Sequence, residues 1–175
     1  MNSLEKYFNS IPVGSMEDNV FDLIGRQWML ITAGTTGNFN TMTASWGSMG
    51  ILWNKPVAIC FIRPNRYTYE FAEKYDHYTL SFFDEKYRDL LNFCGTKSGR
   101  NTDKIKATGL TPLISRHLNI GFMESRMVIE CRKLYCDDLK PGNFIIPDIA
   151  RKNYPRDDYH RFYIGEVVNC FLKKN

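Results

Sequence analysis

Two stretches of the chain carry side chains able to grip a small anionic ligand. Arg63-Pro64-Asn65-Arg66-Tyr67-Thr68 gathers two guanidinium groups and a hydroxyl into one short segment. Arginine offers a rigid fork of N–H donors matched to phosphate oxygens, and a neighbouring hydroxyl adds another donor. The second set is Thr41, Thr43 and Ser45, alternating with Met42, Ala44 and Trp46. On an extended strand this alternation puts the three hydroxyls on one face, where small side chains leave the backbone approachable to a flat polar heterocycle. Each set also has a plainer reading: arginines solvated at a strand end, and a threonine-rich strand facing water.

Local pattern indicates what positions them. Val57–Ile62 is a compact, β-branched apolar run and predicts a buried strand. Pro64, which has no N–H for a ladder, ends it. Tyr67, Phe71 and Tyr75 then recur every four residues, predicting an amphipathic helix with Asn65 as its N-cap. A strand therefore feeds a helix N-terminus, whose free N–H groups and dipole also favour phosphate. Phe39–Trp46, which carries the hydroxyls, reads as the hairpin partner of Trp28–Ala33 across a polar turn at Gly34–Asn38. One strand's worth of chain separates the two sets, so a meander would make them neighbours. Groups for a ring on one and for a phosphate on the other describe a mononucleotide such as FMN.

The remaining segments suggest a scaffold. Residues up to about Ser15 read as a short arm, Val20–Ile24 as a short strand or turn, and Gly47–Trp53 as a glycine-punctuated corner. His77–Phe83 predicts a strand, with Asp84 capping a helix that runs through Phe93. Cys94–Lys104 is a polar loop whose spacing is not that of a P-loop, and it reads as a solvated linker. Leu110–Leu113, Ile120–Met123, Arg126–Tyr135 and Arg161–Leu172 read as extended, with an irregular excursion at Pro141–Tyr154. Many strands and few helices predict a closed antiparallel barrel with peripheral helices. No G-x-G-x-x-G follows a strand, so a Rossmann unit is not expected.

Composition narrows the function classes. A chain of 175 residues, 43% apolar and 24% charged, has the make-up of one globular domain with a full core. Its net charge of +4 is mild and dispersed, unlike a nucleic-acid stripe. No run approaches the roughly 18 apolar residues of a membrane span, and the N-terminus does not read as a signal peptide. Five cysteines without a C-x-x-C pair form a reduced, cytoplasmic pattern. His77, His117 and His160 lie far apart and the cysteine spacing matches no zinc module, so no metal is expected. Asp137-Asp138 and Asp157-Asp158 read as solvated acids. Aromatics, at 14%, fit a packed barrel, a pocket or a subunit interface.

With these residues in view, Asn40-Thr41-Met42-Thr43-Ala44-Ser45-Trp46-Gly47, then Pro56 and Arg63 to Thr68, resembles the flavin reductase-like, FMN-binding split-barrel family, closest to its flavoredoxin-like members. The resemblance continues through Phe93-Cys94-Gly95, Ser98-Gly99-Arg100 with Asp103-Lys104, and His160 to Val167. It implies a mainly β fold, an antiparallel, Greek-key-like split β-barrel with short peripheral helices. This would be a single domain over residues 1–175 with a short N-terminal arm to about residue 18, paired as a homodimer with FMN near the interface. Backbone and hydroxyls from Thr41, Met42, Thr43, Ala44, Ser45 and Trp46 would hold the ring and ribityl chain. Arg63, Arg66, Tyr67 and Thr68 would hold the phosphate, while Ser98, Arg100 and Lys104 complete the pocket. His160 and Tyr163 would lie near the exposed flavin face or across the interface.

The implied activity is hydride or electron transfer between NAD(P)H and flavin or a downstream acceptor, in the cytoplasm, with no nucleic-acid or membrane partner. The alternatives are a flavin-binding or flavin-storage module without nicotinamide turnover, and a barrel for another phosphorylated ligand.

Overall fold

A computed structural model describes residues 2–174. Its strands are β1 (Asn2–Ser3), β2 (Phe8–Ile11), β3 (Met29–Thr35), β4 (Asn38–Ala44), β5 (Gly47–Leu52), β6 (Lys55–Ile62), β7 (His77–Phe82), β8 (Pro112–Ile114), β9 (Ile120–Phe122), β10 (Met127–Asp138) and β11 (Arg161–Lys173). The α-helices are α1 (Leu4–Tyr7), α2 (Val20–Asp22), α3 (Tyr67–Lys74), α4 (Arg88–Thr96), α5 (Lys104–Thr108) and α6 (Pro147–Asn153). The main sheet runs β4-β3-β7-β10-β11-β6-β5, with β2 also paired to β11, and its ladders are antiparallel. A small sheet, β1-β8-β9, contains one short parallel pairing of β1 with β8.

Hairpins set the local connections. β5 turns into β6 through Trp53 and Asn54, both at positive φ (52° and 57°), the geometry of a two-residue turn that matches strand twist. β10 and β11 are the longest strands, and register shifts after Glu130 and Lys133 let them bend around the barrel. The barrel is not closed. Among the described residues no ladder joins β4 to β5, although they are consecutive in the chain, so the wall is split at Ser45–Trp46.

Three apolar clusters hold the layers together. Met29, Ile31, Leu80, Ile129, Ala58 and Tyr163 fill the barrel, and Phe71 and Ala72 of α3 pack into the same cluster. Leu30, Phe83, Phe122 and Leu110 join Leu91 and Cys94 of α4 on the outer face. Leu4, Phe8, Leu113, Val128 and Phe171 form the third cluster. Tyr78 crosses the barrel to donate to the Ala58 carbonyl at 2.7 Å. A Cβ on Gly165 would sit 2.6 Å from that Tyr78 hydroxyl, so only glycine fits there. The Cys60 and Cys131 thiols are buried, and burial pushes the Cys60 thiol up to about 12.

Four segments differ from the sequence reading. The arm is packed, with β2 on β11 and Leu4 and Phe8 fully buried. Val20–Ile24 is helical, because the Asn19 side chain accepts from the Phe21 and Asp22 N–H groups and caps α2. Gly47–Trp53 contains an edge strand, not a corner. Pro141–Tyr154 contains α6, which opens on Pro147, a position where proline costs the helix no hydrogen bond. No helix of the described residues is long and apolar enough to cross a membrane.

Candidate functional site

The β6–α3 turn opens on a cleft of 440 Å³ lined by Arg63, Asn65 and Arg66 from the turn, Met42 from β4, Thr96, Lys97 and Ser98 from the end of α4, Lys104 from α5, and Asp158. Its charges sum to +3: Arg63, Arg66, Lys97 and Lys104 against Asp158. Lys104 is the most constrained of these. It is 6% exposed, and its Nζ donates to the Thr41 carbonyl at 2.7 Å and the Cys94 carbonyl at 2.8 Å. Burial, with Arg66 nearby, pulls its ammonium below the ordinary lysine value. Arg66 donates to the Gly95 carbonyl at 3.0 Å and has no carboxylate partner among the described residues. Arg66 is itself the N-cap of α3 and no side chain caps that helix, so its first N–H groups are not consumed by a cap. Asn65, expected as the cap, instead sends its amide to Asp158 at 3.1 Å.

Arg63 is already engaged. Its Nη1 lies 2.6 Å from Asp158 Oδ1, its Nη2 donates to the Asn153 carbonyl at 2.9 Å, and its guanidinium lies over the Tyr154 ring at 5.0 Å. Asp158 is therefore not a solvated acid, and the excursion carrying α6 is strapped to the β6–α3 turn.

Thr41, Thr43 and Thr68 do not offer free hydroxyls. Thr41 Oγ1 pairs with Thr32 Oγ1 at 2.9 Å, Thr43 Oγ1 donates to the Leu91 carbonyl of α4, and Thr68 Oγ1 accepts from the buried Asn40 amide at 2.7 Å. The alternation along β4 is as expected, but Thr43 lies beneath α4 and Thr41 is tied to β3. Met42 and Ala44 face the barrel cluster, and Met42 reaches the cleft rim. The two sets also meet differently from a meander. β4 and β6 lie toward opposite ends of the sheet and approach because the barrel curls across its split.

Ser45 and Trp46 stand at that split and line a neighbouring 610 Å³ cleft with Val20, Phe21, Ile24, Met49 and Phe61. The His160 ring packs 5.1 Å from Trp46 and 6.4 Å from Phe61, and its Nδ1 meets the Tyr154 hydroxyl at 2.9 Å. Burial and the Arg63 charge pull the His160 imidazole down to about 4, so it is neutral at pH 7.

Tyr67 and Arg100 open on a different cleft of 590 Å³, which shares Lys104 with the first. Arg100 lies over the Tyr67 ring at 5.0 Å, donates to the Asn65 carbonyl at 3.2 Å and pairs with Glu70. Tyr163 belongs to the barrel interior. It is fully buried, its hydroxyl donates to Glu73 at 2.7 Å, and burial holds its phenol well above the ordinary tyrosine value. The expected flavin-facing role of Tyr163 does not fit that position.

Sequence reasoning assigned no role to Lys97 or Thr96, and it dismissed Asp158. The density of basic residues around Ser98 was a signal for Lys97. Nothing local to Asp157-Asp158 points to Arg63, ninety-odd residues away.

The sequence model of one family, described as the flavin reductase like domain, matches residues 21–175. No curated protein matches in sequence. Among solved structures, the chain is similar to an FMN-binding protein from Thermus thermophilus with bound p-hydroxybenzaldehyde (17% identity, TM-score 0.68, covering 95% of this chain and 83% of that one). It is similar to a flavoredoxin of Desulfovibrio vulgaris (19% identity, TM-score 0.66, 94% and 76%). The NADH:FAD oxidoreductase of Streptomyces globisporus shares 10% identity at TM-score 0.64, covering 83% and 75%. At these identities the likeness speaks for the fold alone, a split barrel.

Proposed function

The chain belongs to the flavin reductase like domain family, and on that premise we propose that it is an FMN-dependent oxidoreductase passing hydride or electrons between NAD(P)H and flavin or a downstream acceptor. The observation that carries this reading is the basic cleft, with its +3 balance and the buried Lys104. A buried ammonium held by two carbonyls, beside an arginine with no acid partner among the described residues, gains most from a compact dianion. A flavin mononucleotide ends in such a group.

Arg66, Lys97, Ser98 and Lys104 would bind the phosphate, next to the uncapped start of α3. The ring would run along the Ser45–Trp46 break, where the wall is open and main-chain groups are within reach. Trp46, Phe61 and His160 would supply an aromatic wall, and the neutral imidazole adds no charge beside the ring. Bound there, FMN would supply hydride acceptance and onward electron transfer, while the protein supplies position and electrostatics. A homodimer fits the open edge at β5, with Ile51 75% exposed and Trp53 beside it. A cytoplasmic setting fits the free cysteines.

The test is anaerobic addition of NADH or NADPH to the FMN-loaded protein. Bleaching of the flavin absorbance by either supports the oxidoreductase. Stable yellow colour with both would leave only flavin binding or storage.

A further inference from the structure

The Arg63–Asp158 pair has a consequence for how tightly the cleft holds its ligand, on the reading that a flavin phosphate enters it. Asp158 is the one carboxylate among the described cleft-lining residues, and it faces one of the two arginines of the turn. The pair is partly sheltered, with the side chains 22% and 20% exposed, so water weakens it less than a surface pair. Yet it is imperfect. Oδ1 is occluded and 2.6 Å from Arg63 Nη1, but no N–H is aligned on it as a hydrogen bond, and only Oδ2 has a directed donor, from Asn65. Burial pushes the Asp158 carboxyl up, but Arg63 and Asn65 outweigh this and hold it below the ordinary aspartate value, so it stays ionised.

An arriving phosphate therefore meets two options. Either Arg63 stays with Asp158 and the phosphate sits near an uncancelled carboxylate, or Arg63 turns to the phosphate and leaves Asp158 with Asn65 alone. Both options subtract from the affinity that two arginines and two lysines could supply. We propose that Asp158 is an affinity-setting positioning residue, a built-in competitor for Arg63 that keeps the flavin phosphate exchangeable rather than locked. The device suits a protein whose flavin is taken up and given back.

The experiment titrates FMN and riboflavin, which lacks the phosphate, into wild type, Asp158→Asn and Asp158→Glu, read by quenching of flavin fluorescence. Asp158→Asn keeps an acceptor for Asn65 but frees Arg63, and FMN should bind about tenfold tighter, the effect of one charge-assisted contact. Riboflavin affinity should change less than about twofold, and Asp158→Glu, which keeps the charge, should restore the wild-type FMN value. Should Asp158→Asn lose the native far-UV spectrum, Asp158→Ser is also neutral and carries the same test. FMN affinity unchanged or weaker in the neutral variant, or FMN and riboflavin gaining equally, overturns the inference. If wild type holds FMN no better than riboflavin, the phosphate reading itself fails, and the two failures are told apart.

Discussion

Arg66→Ala isolates the phosphate contact with little disturbance to the fold. The Arg66 side chain is exposed and, among the described residues, makes one hydrogen bond, Nη1 to the Gly95 carbonyl at 3.0 Å. Most of its N–H donors are therefore spare, and none is committed to a carboxylate among the described residues. Truncation should cost the fold about 0.5 kcal/mol or less. A charge-assisted bond to phosphate contributes roughly 1.5–3 kcal/mol. Because the side chain is exposed, the lower part of that range applies, about 1.5–2 kcal/mol, or roughly a 10- to 30-fold rise in Kd for FMN. Arg66→Lys should fall between, since it keeps a charge but loses the fork. Fluorescence titrations with FMN and riboflavin, alongside melting curves, separate binding from folding. An unchanged FMN Kd in Arg66→Ala refutes the assignment. So does an equal loss for riboflavin, which would mean that the side chain supports the ring instead of the phosphate.

Two other expectations follow from packing and burial. Gly99→Ala would drive a Cβ into the Asn40 amide and within 3.1 Å of the Tyr67 ring, breaking the 2.7 Å Asn40–Thr68 bond. It should cost about 1–3 kcal/mol in urea denaturation, and an unchanged midpoint would show that the Ser98–Arg100 turn gives way freely. His160 is pulled down to about 4, chiefly by burial, with Arg63 and Arg66 adding to it and Asp158 opposing. The unfolded chain, near about 6.5, takes up the proton first, so stability falls as pH drops below that value and the loss levels off below the folded value. By about pH 4.5 this group alone removes roughly 2–3 kcal/mol relative to about pH 7, and His160→Gln should lose that much less. Equal losses in the two proteins would contradict the burial argument.

The strands were legible because their cause is local. Val57–Ile62, Trp28–Ala33 and Arg161–Leu172 carry β-branched and aromatic runs that turns or prolines bound, and the helix at Tyr67 announces its own period. Elements resting on a few backbone bonds were harder. β5 hides behind Gly47 and Gly50, and α6 behind Pro147, which opens a helix as readily as it breaks one. Alternation along β4 gave the correct pairing of faces, but not that the hydroxyl face is covered as well. What covers Thr43 is the Leu91 carbonyl on α4, far away in sequence. The family resemblance implies a pocket role for Ser98, Arg100 and Lys104; Ser98 and Lys104 do line the basic cleft, while Arg100 and Tyr67 face another. Long-range charge was the least visible. Arg63 reads as a free phosphate ligand until the 153–158 turn folds back on it.

The most direct test is a crystal structure of the protein grown with excess FMN. Phosphate density within hydrogen-bonding reach of Arg66, Ser98 and Lys104, with the ring lying along Ser45–Trp46, is the predicted result. A flavin bound elsewhere while that cleft holds only water would contradict the account.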